Sequence, residues 1–173
     1  MWMKAVGSLL VTFSCGALGA WKAGQWKEHR KMLEQLRKMI LLLKGEILYA
    51  HSPLEEALEQ TGRKSEGVLA SFFIQVASRI QDREGEVFFE LWKEEIQNHK
   101  RNFLFTEKEC AELKAFGEHL GYLDLDMQER TIALYLEQLD LSIDYYRSHE
   151  QEQTKLFTSL GVMGGLFLSI ILC

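Results

Sequence analysis

Residues 124–173, DLDMQERTIALYLEQLDLSIDYYRSHEQEQTKLFTSLGVMGGLFLSIILC, decide how the chain reads. They hold no proline, and no glycine before Gly161. Leu125, Gln128, Ile132, Leu136, Leu139, Ile143 and Tyr146 follow steps of three and four, which puts them on one helix face. Lys155 carries the last charge, and the 18 residues 156–173 carry none. That run is just long enough to cross a bilayer as a helix. Helical throughout, the whole stretch is about 75 Å long at 1.5 Å per residue. It starts in water and ends in lipid.

A second charge-free run, residues 5–21, lies between Lys4 and Lys22. A cleaved signal peptide and an uncleaved span compete for it. Lys22, Lys27, Arg30 and Lys31 follow directly, against Lys4 and the terminal amine before. The positive-inside rule keeps such a flank in the cytoplasm, a bias opposite to that of a signal peptide. The expectation is a transmembrane helix over 1–21, a cytosolic helical bundle over 22–155 and a transmembrane helix over 156–173, with both termini outside. Gly16 and Ala20 in the first span, and Gly161 and Gly165 in the second, sit at four-residue spacing. Such rows let spans approach closely; the ordinary frequency of glycine in spans explains them equally well.

The 173 residues are 47% hydrophobic and 26% charged, which suits one folded domain rather than disorder. Pro53 is the single proline, and runs of Val, Ile and Thr with period two are missing. The class is therefore all-α. Residues 22–44 hold seven basic residues against two acidic, while 45–155 hold 12 against 23. A basic collar (Lys22, Lys27, Arg30, Lys31) beside the first apolar run suits anionic lipid, and the acidic body suits a protein partner. Nucleic acid would need a basic face across the domain. Three cysteines without a C-x-x-C make neither a disulfide framework nor a zinc site.

Within the body, Leu33, Leu36, Ile40, Leu43 and Ile47 form a seam on a helix from about 26 to 50, with Glu46 at its edge. Ser52 as N-cap and Pro53 at the first helical position start a short helix with Leu54, Ala57 and Leu58 inward and Gly62 as its stop. A third helix over 66–81 buries Leu69, Phe72, Phe73, Val76 and Ile80. Gly85 breaks the chain before a fourth over 86–100. Thr106 to Glu109 reads as a capping box for a fifth. Gly121 ends that one, and Asp124 or Asp126 caps the sixth. The result is a six-helix bundle.

Chemistry is sparse. Nucleophile motifs, phosphate loops and dinucleotide fingerprints are absent from the sequence. The five histidines are scattered and read as surface residues. Glu94, Glu95, Glu137, Asp140 and Asp144 read as a solvated helix face, with a docking face next and a metal site last. The pairs Phe72-Phe73 and Phe88-Phe89 suggest that one ring of each faces a partner. Gln128 falls on the buried seam and needs a bond to Glu46 or to a backbone group. No catalytic, cofactor or metal residue is assigned.

Two stretches carry a resemblance. Residues 43–58, LKGEILYAHSPLEEAL, place Glu46, Tyr49, Ser52, Pro53 and Leu54 in a Glu-Ile, Tyr, small hydroxyl, Pro-Leu, Glu-Ala-Leu pattern. Residues 116–124, FGEHLGYLD, add Gly121 and Asp124, with Gln128 four residues on. The chain resembles the stage III sporulation protein AB family of endospore-forming bacteria over its whole length. The family commonly has a serine where this chain has Leu123. That family is similar to the cytoplasmic domain of the F platform proteins of type II secretion and type IV pilus machines. The resemblance implies a six-helix, F-domain-like bundle without enzymatic activity. It implies a setting in the mother-cell membrane around the forespore, within a secretion-like channel complex. It implies a cytosolic ATPase partner, stage III sporulation protein AA, other channel-complex membrane proteins as neighbours, and room for a homo-oligomer. A membrane-tethered scaffold or signalling bundle without an ATPase is the alternative.

Overall fold

The computed structural model describes the backbone of residues 2–82, 87–121 and 124–172, and side chains within 24–149 of these and at Ser159 and Met163. Among the described residues there are six helices and no strand: α1 (Trp2–Leu48), α2 (Leu54–Arg63), α3 (Gly67–Asp82), α4 (Phe88–His99), α5 (Glu107–Leu120) and α6 (Leu125–Leu172). The order matches the periodicity. The first element differs, because α1 is one helix of 47 residues rather than a span followed by a separate helix. No proline or capping residue separates the apolar run from the seam, so nothing ends the hydrogen-bond ladder. Gly85, expected as a break, lies outside the described residues.

The chain clusters into two compact units. One is Met32–Ser142. Its centre is Trp92, whose ring centroid lies 4.8 Å from Phe72, 5.7 Å from Phe88, 5.9 Å from Phe73 and 6.0 Å from Phe116. The indole nitrogen donates to the Leu113 carbonyl at 2.9 Å, so the buried polar atom is satisfied. Gly117 is required here, since a Cβ would stand 2.1 Å from Trp92 Cδ1. Phe72 and Phe73 are both fully buried, which corrects the expectation that one of them faces a partner. They occupy successive positions of α3 but pack edge-on to each other at 5.5 Å, both against Trp92. Phe88 and Phe89 are half-buried.

Around this centre the α1 seam is buried as expected, from Leu33 to Ile47. Gly62 does not stop α2, which runs on to Arg63. Its role is close approach, because a Cβ there would lie 2.6 Å from Ile74 Cγ1 and 3.0 Å from the Ala70 carbonyl. Thr106 forms the expected capping box with Glu109. On α6 the buried row is Gln128, Ile132, Tyr135, Leu139 and Ile143; Leu136 is half-buried and Tyr135 takes its place by stacking on Phe116 at 4.5 Å.

The other unit is Met1–Lys31 with Ile143–Cys173. Trp26 meets Tyr146 edge-on at 5.2 Å, and the His29 ring lies 4.5 Å from Tyr146. Of the basic collar, Lys27 is exposed, Arg30 is half-buried and Lys31 pairs with Glu28 at 2.7 Å. Of Lys22, Gly16, Ala20, Gly161 and Gly165 only the helical backbone is described. Among the described residues, no helix is long and apolar enough to cross a membrane. Apart from Ser159 and Met163, the side chains of both charge-free runs lie outside them.

Candidate functional site

Two turns of the Met32–Ser142 unit, with the helix ends beside them, carry the eight motif residues singled out by sequence. The first joins α1 to α2. The Tyr49 and Ala50 N–H groups both donate to the Gly45 carbonyl, at 3.1 and 3.2 Å, and the Ser52 N–H donates to the Glu46 carbonyl at 3.0 Å. This wide closure places His51 at φ 53, in the left-handed region that few non-glycine residues adopt and in which Asn, Asp and His are the better tolerated. Pro53, at φ −53 and ψ 151, is the N-cap, and its carbonyl accepts the Ala57 N–H at 2.9 Å. Ser52 is therefore not the cap, and no side chain caps α2. The extended proline stays outside the helix and delays the helical register by one residue. Glu46 accepts from Lys64 Nζ at 2.5 Å, which ties the end of α1 to the residue that closes α2. Tyr49 is 81% exposed.

The second turn joins α5 to α6. Gly121 follows α5 with φ −70, so it serves as a close-approach residue: a Cβ there would stand 2.9 Å from Phe88 Cδ1. Asp124 is the cap of α6. Its carbonyl accepts the Gln128 N–H at 3.0 Å, and its side chain accepts the Asp126 N–H at 3.4 Å. Gln128 is buried and donates from Nε2 to the Leu120 carbonyl at 3.0 Å. That carbonyl belongs to the last turn of α5, where the helix itself supplies no donor. Gln128 thus fastens the end of α5 to the first turns of α6, the backbone role expected of it. Tyr122 and Leu123 lie outside the described residues.

The two turns meet in a cleft of about 120 Å³ lined by Ile47, His51, Ser52, Leu54, Leu125 and Gln128. Leu125 does not continue the buried row but is 46% exposed. It is the first residue of α6, and burial begins only one turn later at Gln128, so Leu125 forms a wall of the cleft. Glu56, Asp124 and Asp126 are exposed, and Glu129 shares Lys44 at 3.7 Å. The lining is aliphatic with one hydroxyl, one amide and one imidazole. Such a set can bury an apolar group and orient it by hydrogen bonds. It offers no activated nucleophile.

A larger groove of about 490 Å³ runs past Gln35, Lys38, Lys64 and Gly67. Two of its polar side chains already serve the fold: Gln35 donates to the Glu66 carbonyl and Lys64 to Glu46.

Several of the remaining acidic and imidazole groups serve the fold. Asp140 is gripped by Arg37 through two hydrogen bonds across α1 and α6, rather than solvated alone. Arg79 bridges Glu94 at 2.5 Å and Glu95 at 2.6 Å. Glu95 is buried, and so is His99, which packs between Phe72 and Phe103. Those placements overturn the surface reading of Glu95 and His99: the α3 arginine and the aromatic core lie on the same face as both. Glu137 and Asp144 are exposed. Burial pushes the Cys110 thiol up, away from reactivity. Among the described residues, no three His, Cys, Asp or Glu side chains sit close enough to hold a metal.

A family model for stage III sporulation protein AB matches residues 4–173. Stage III sporulation protein AB of Bacillus subtilis (strain 168) is 25% identical over 170 residues, which span 98% of this chain and 99% of that protein. A solved structure of stage III sporulation protein AB has the same fold, with a TM-score of 0.66 at 24% identity over 72% of this chain and 98% of that one. With the match running over nearly its whole length, the chain belongs to the stage III sporulation protein AB family.

Proposed function

We propose that the chain is a non-enzymatic membrane platform of a sporulation secretion-like channel complex between mother cell and forespore. Its bundle, over 22–155, stands in the mother-cell cytoplasm, docks a cytosolic secretion-type ATPase (stage III sporulation protein AA) and passes the ATPase's conformational work to the assembly. Spans over 1–21 and 156–173 hold it in the membrane around the forespore with both termini outside. The observation that carries this reading is helical continuity. α1 and α6 each run unbroken between a charge-free segment and a buried row of the bundle. A folded helical body whose first and last helices continue into apolar runs is built to transmit a push or twist along those helices. The collar of Lys22, Lys27, Arg30 and Lys31 supports a cytoplasmic flank beside anionic lipid. The excess of acid over base in 45–155 supports a basic protein partner.

Co-purification tests the reading. The full-length chain in detergent should retain the ATPase on an affinity resin. Loss of the ATPase at every detergent and salt tried would contradict it.

A further inference from the structure

We infer that the outward face of α6 between Met127 and Ser142 pairs with the same face of a second copy of this chain, the two α6 helices lying parallel in one membrane. The inference rests on the proposed function for the membrane and goes beyond it in naming a contact between copies. Met127 is 47% exposed, Leu134 59% and Leu141 67%, at seven-residue spacing along α6. That spacing keeps them on one stripe. The buried row of Gln128, Ile132, Tyr135 and Leu139 takes a different face, so the exposed stripe adds nothing to the bundle core.

Thr131 and Gln138 are half-buried and fill the row in steps of four and three: Met127, Thr131, Leu134, Gln138, Leu141. This is the alternation of a two-stranded coiled coil, with Met127 and the leucines at d and the polar residues at a. Exposure alone does not name the occupant, but Gln138 does. An amide is donor and acceptor at once, so in a parallel pair in register each Gln138 meets its own counterpart and satisfies it. A helix that offered only apolar side chains would leave that amide desolvated and unbonded. An antiparallel pair, in which a faces d, would set each Gln138 against an apolar side chain. A single polar residue of this kind is also what fixes register in such seams.

Charge beside the stripe permits the same pairing. Glu137, just before Gln138, faces Ser142, just after Leu141, on the other copy of a parallel pair, and so meets a hydroxyl rather than a second acid. The stripe is small. Three apolar side chains fall well short of the roughly 800 Å² that each partner of a stable complex in water buries. The pair therefore needs a bilayer, which holds both copies in one plane with α6 pointing the same way and raises their effective concentration.

The test is cysteine cross-linking of the full-length chain in liposomes that hold no other protein, with Cys15 and Cys173 replaced by Ser and the buried Cys110 kept. Under mild oxidation Leu134→Cys and Leu141→Cys should each give a disulfide-linked dimer, because equivalent d positions approach within disulfide reach across a parallel pair. Gln75→Cys, exposed on α3, is the control and should give at least fivefold less. Leu134→Glu combined with Leu141→Glu, checked for folding by circular dichroism, should weaken self-association tenfold or more, read as energy transfer between labelled copies. Suppose the chain floats with its vesicles and recruits the ATPase. If the stripe cysteines then cross-link no more than the control, or the folded double Glu variant associates as tightly as the wild type, the pairing is overturned, a different protein covers the stripe and the proposed function stands. If the chain does not enter the vesicles, both fall.

Discussion

The Trp92 centre and the cleft between the helix turns are opposites built in one bundle. At Trp92 there is no spare room: Phe72, Phe73 and the indole are fully buried, and Gly117 cannot gain a single carbon. At the cleft, about 120 Å³ stands open beside half-exposed Leu125 and solvent-facing Tyr49. The fold demands the first set of residues and leaves the second over. Apolar side chains at the Trp92 centre are explained by their own packing. Those at the cleft are not, and an unexplained apolar surface points outward to a partner.

That contrast can be broken by mutation, and thermal unfolding of the detergent-solubilised chain reads the outcome. Trp92→Ala should be the most damaging change. It removes a ring contacted by four others and its bond to the Leu113 carbonyl, a loss of about 3–5 kcal/mol. Gly117→Ala should cost about 1–3 kcal/mol through overpacking, because the added carbon meets a rigid ring. A Gly117→Ala protein as stable as the wild type would mean that the Trp92 centre is looser than described. Gln128→Leu should cost about 1–3 kcal/mol by leaving the buried Leu120 carbonyl without its side-chain donor. Thr106→Ala should lower stability by about 1 kcal/mol through the capping box alone. Tyr49→Ala should fall within about 0.5 kcal/mol of the wild type. A large loss there would show that Tyr49 belongs to the fold after all, and would erase the contrast.

Much of the bundle around the Trp92 centre was legible because it rests on local periodicity. The seam from Leu33 to Ile47 and the box at Thr106 follow from residues within a few positions of each other. What escaped depends on neighbours distant in sequence. Gly117 is needed because of Trp92, 25 positions earlier, and Gly62 because of Ala70 and Ile74. Glu95 and His99 carry polar groups that read as surface. Only their placement against Arg79 and the Phe72–Phe103 rings shows them buried. Leu125 obeys the helical period yet leaves the core, since a periodic position at the first residue of a helix has a neighbour only if another element extends that far. Ser52 lost the cap to Pro53 because Pro53 is itself extended, at ψ 151, so the helix starts at Leu54 and Ser52 stands one residue too early. The cleft itself could be suspected only after the turns were seen together, although both of its stretches, 43–58 and 116–128, stood out as motifs.

We propose that this chain brings an ATPase to a membrane, and vesicle flotation is the decisive test: the full-length chain is reconstituted into liposomes, mixed with the purified ATPase and centrifuged through a density gradient. The ATPase should rise with the protein-bearing vesicles and stay at the bottom with lipid-only vesicles. An ATPase that stays at the bottom in both gradients, with the chain itself floating, would overturn the proposal.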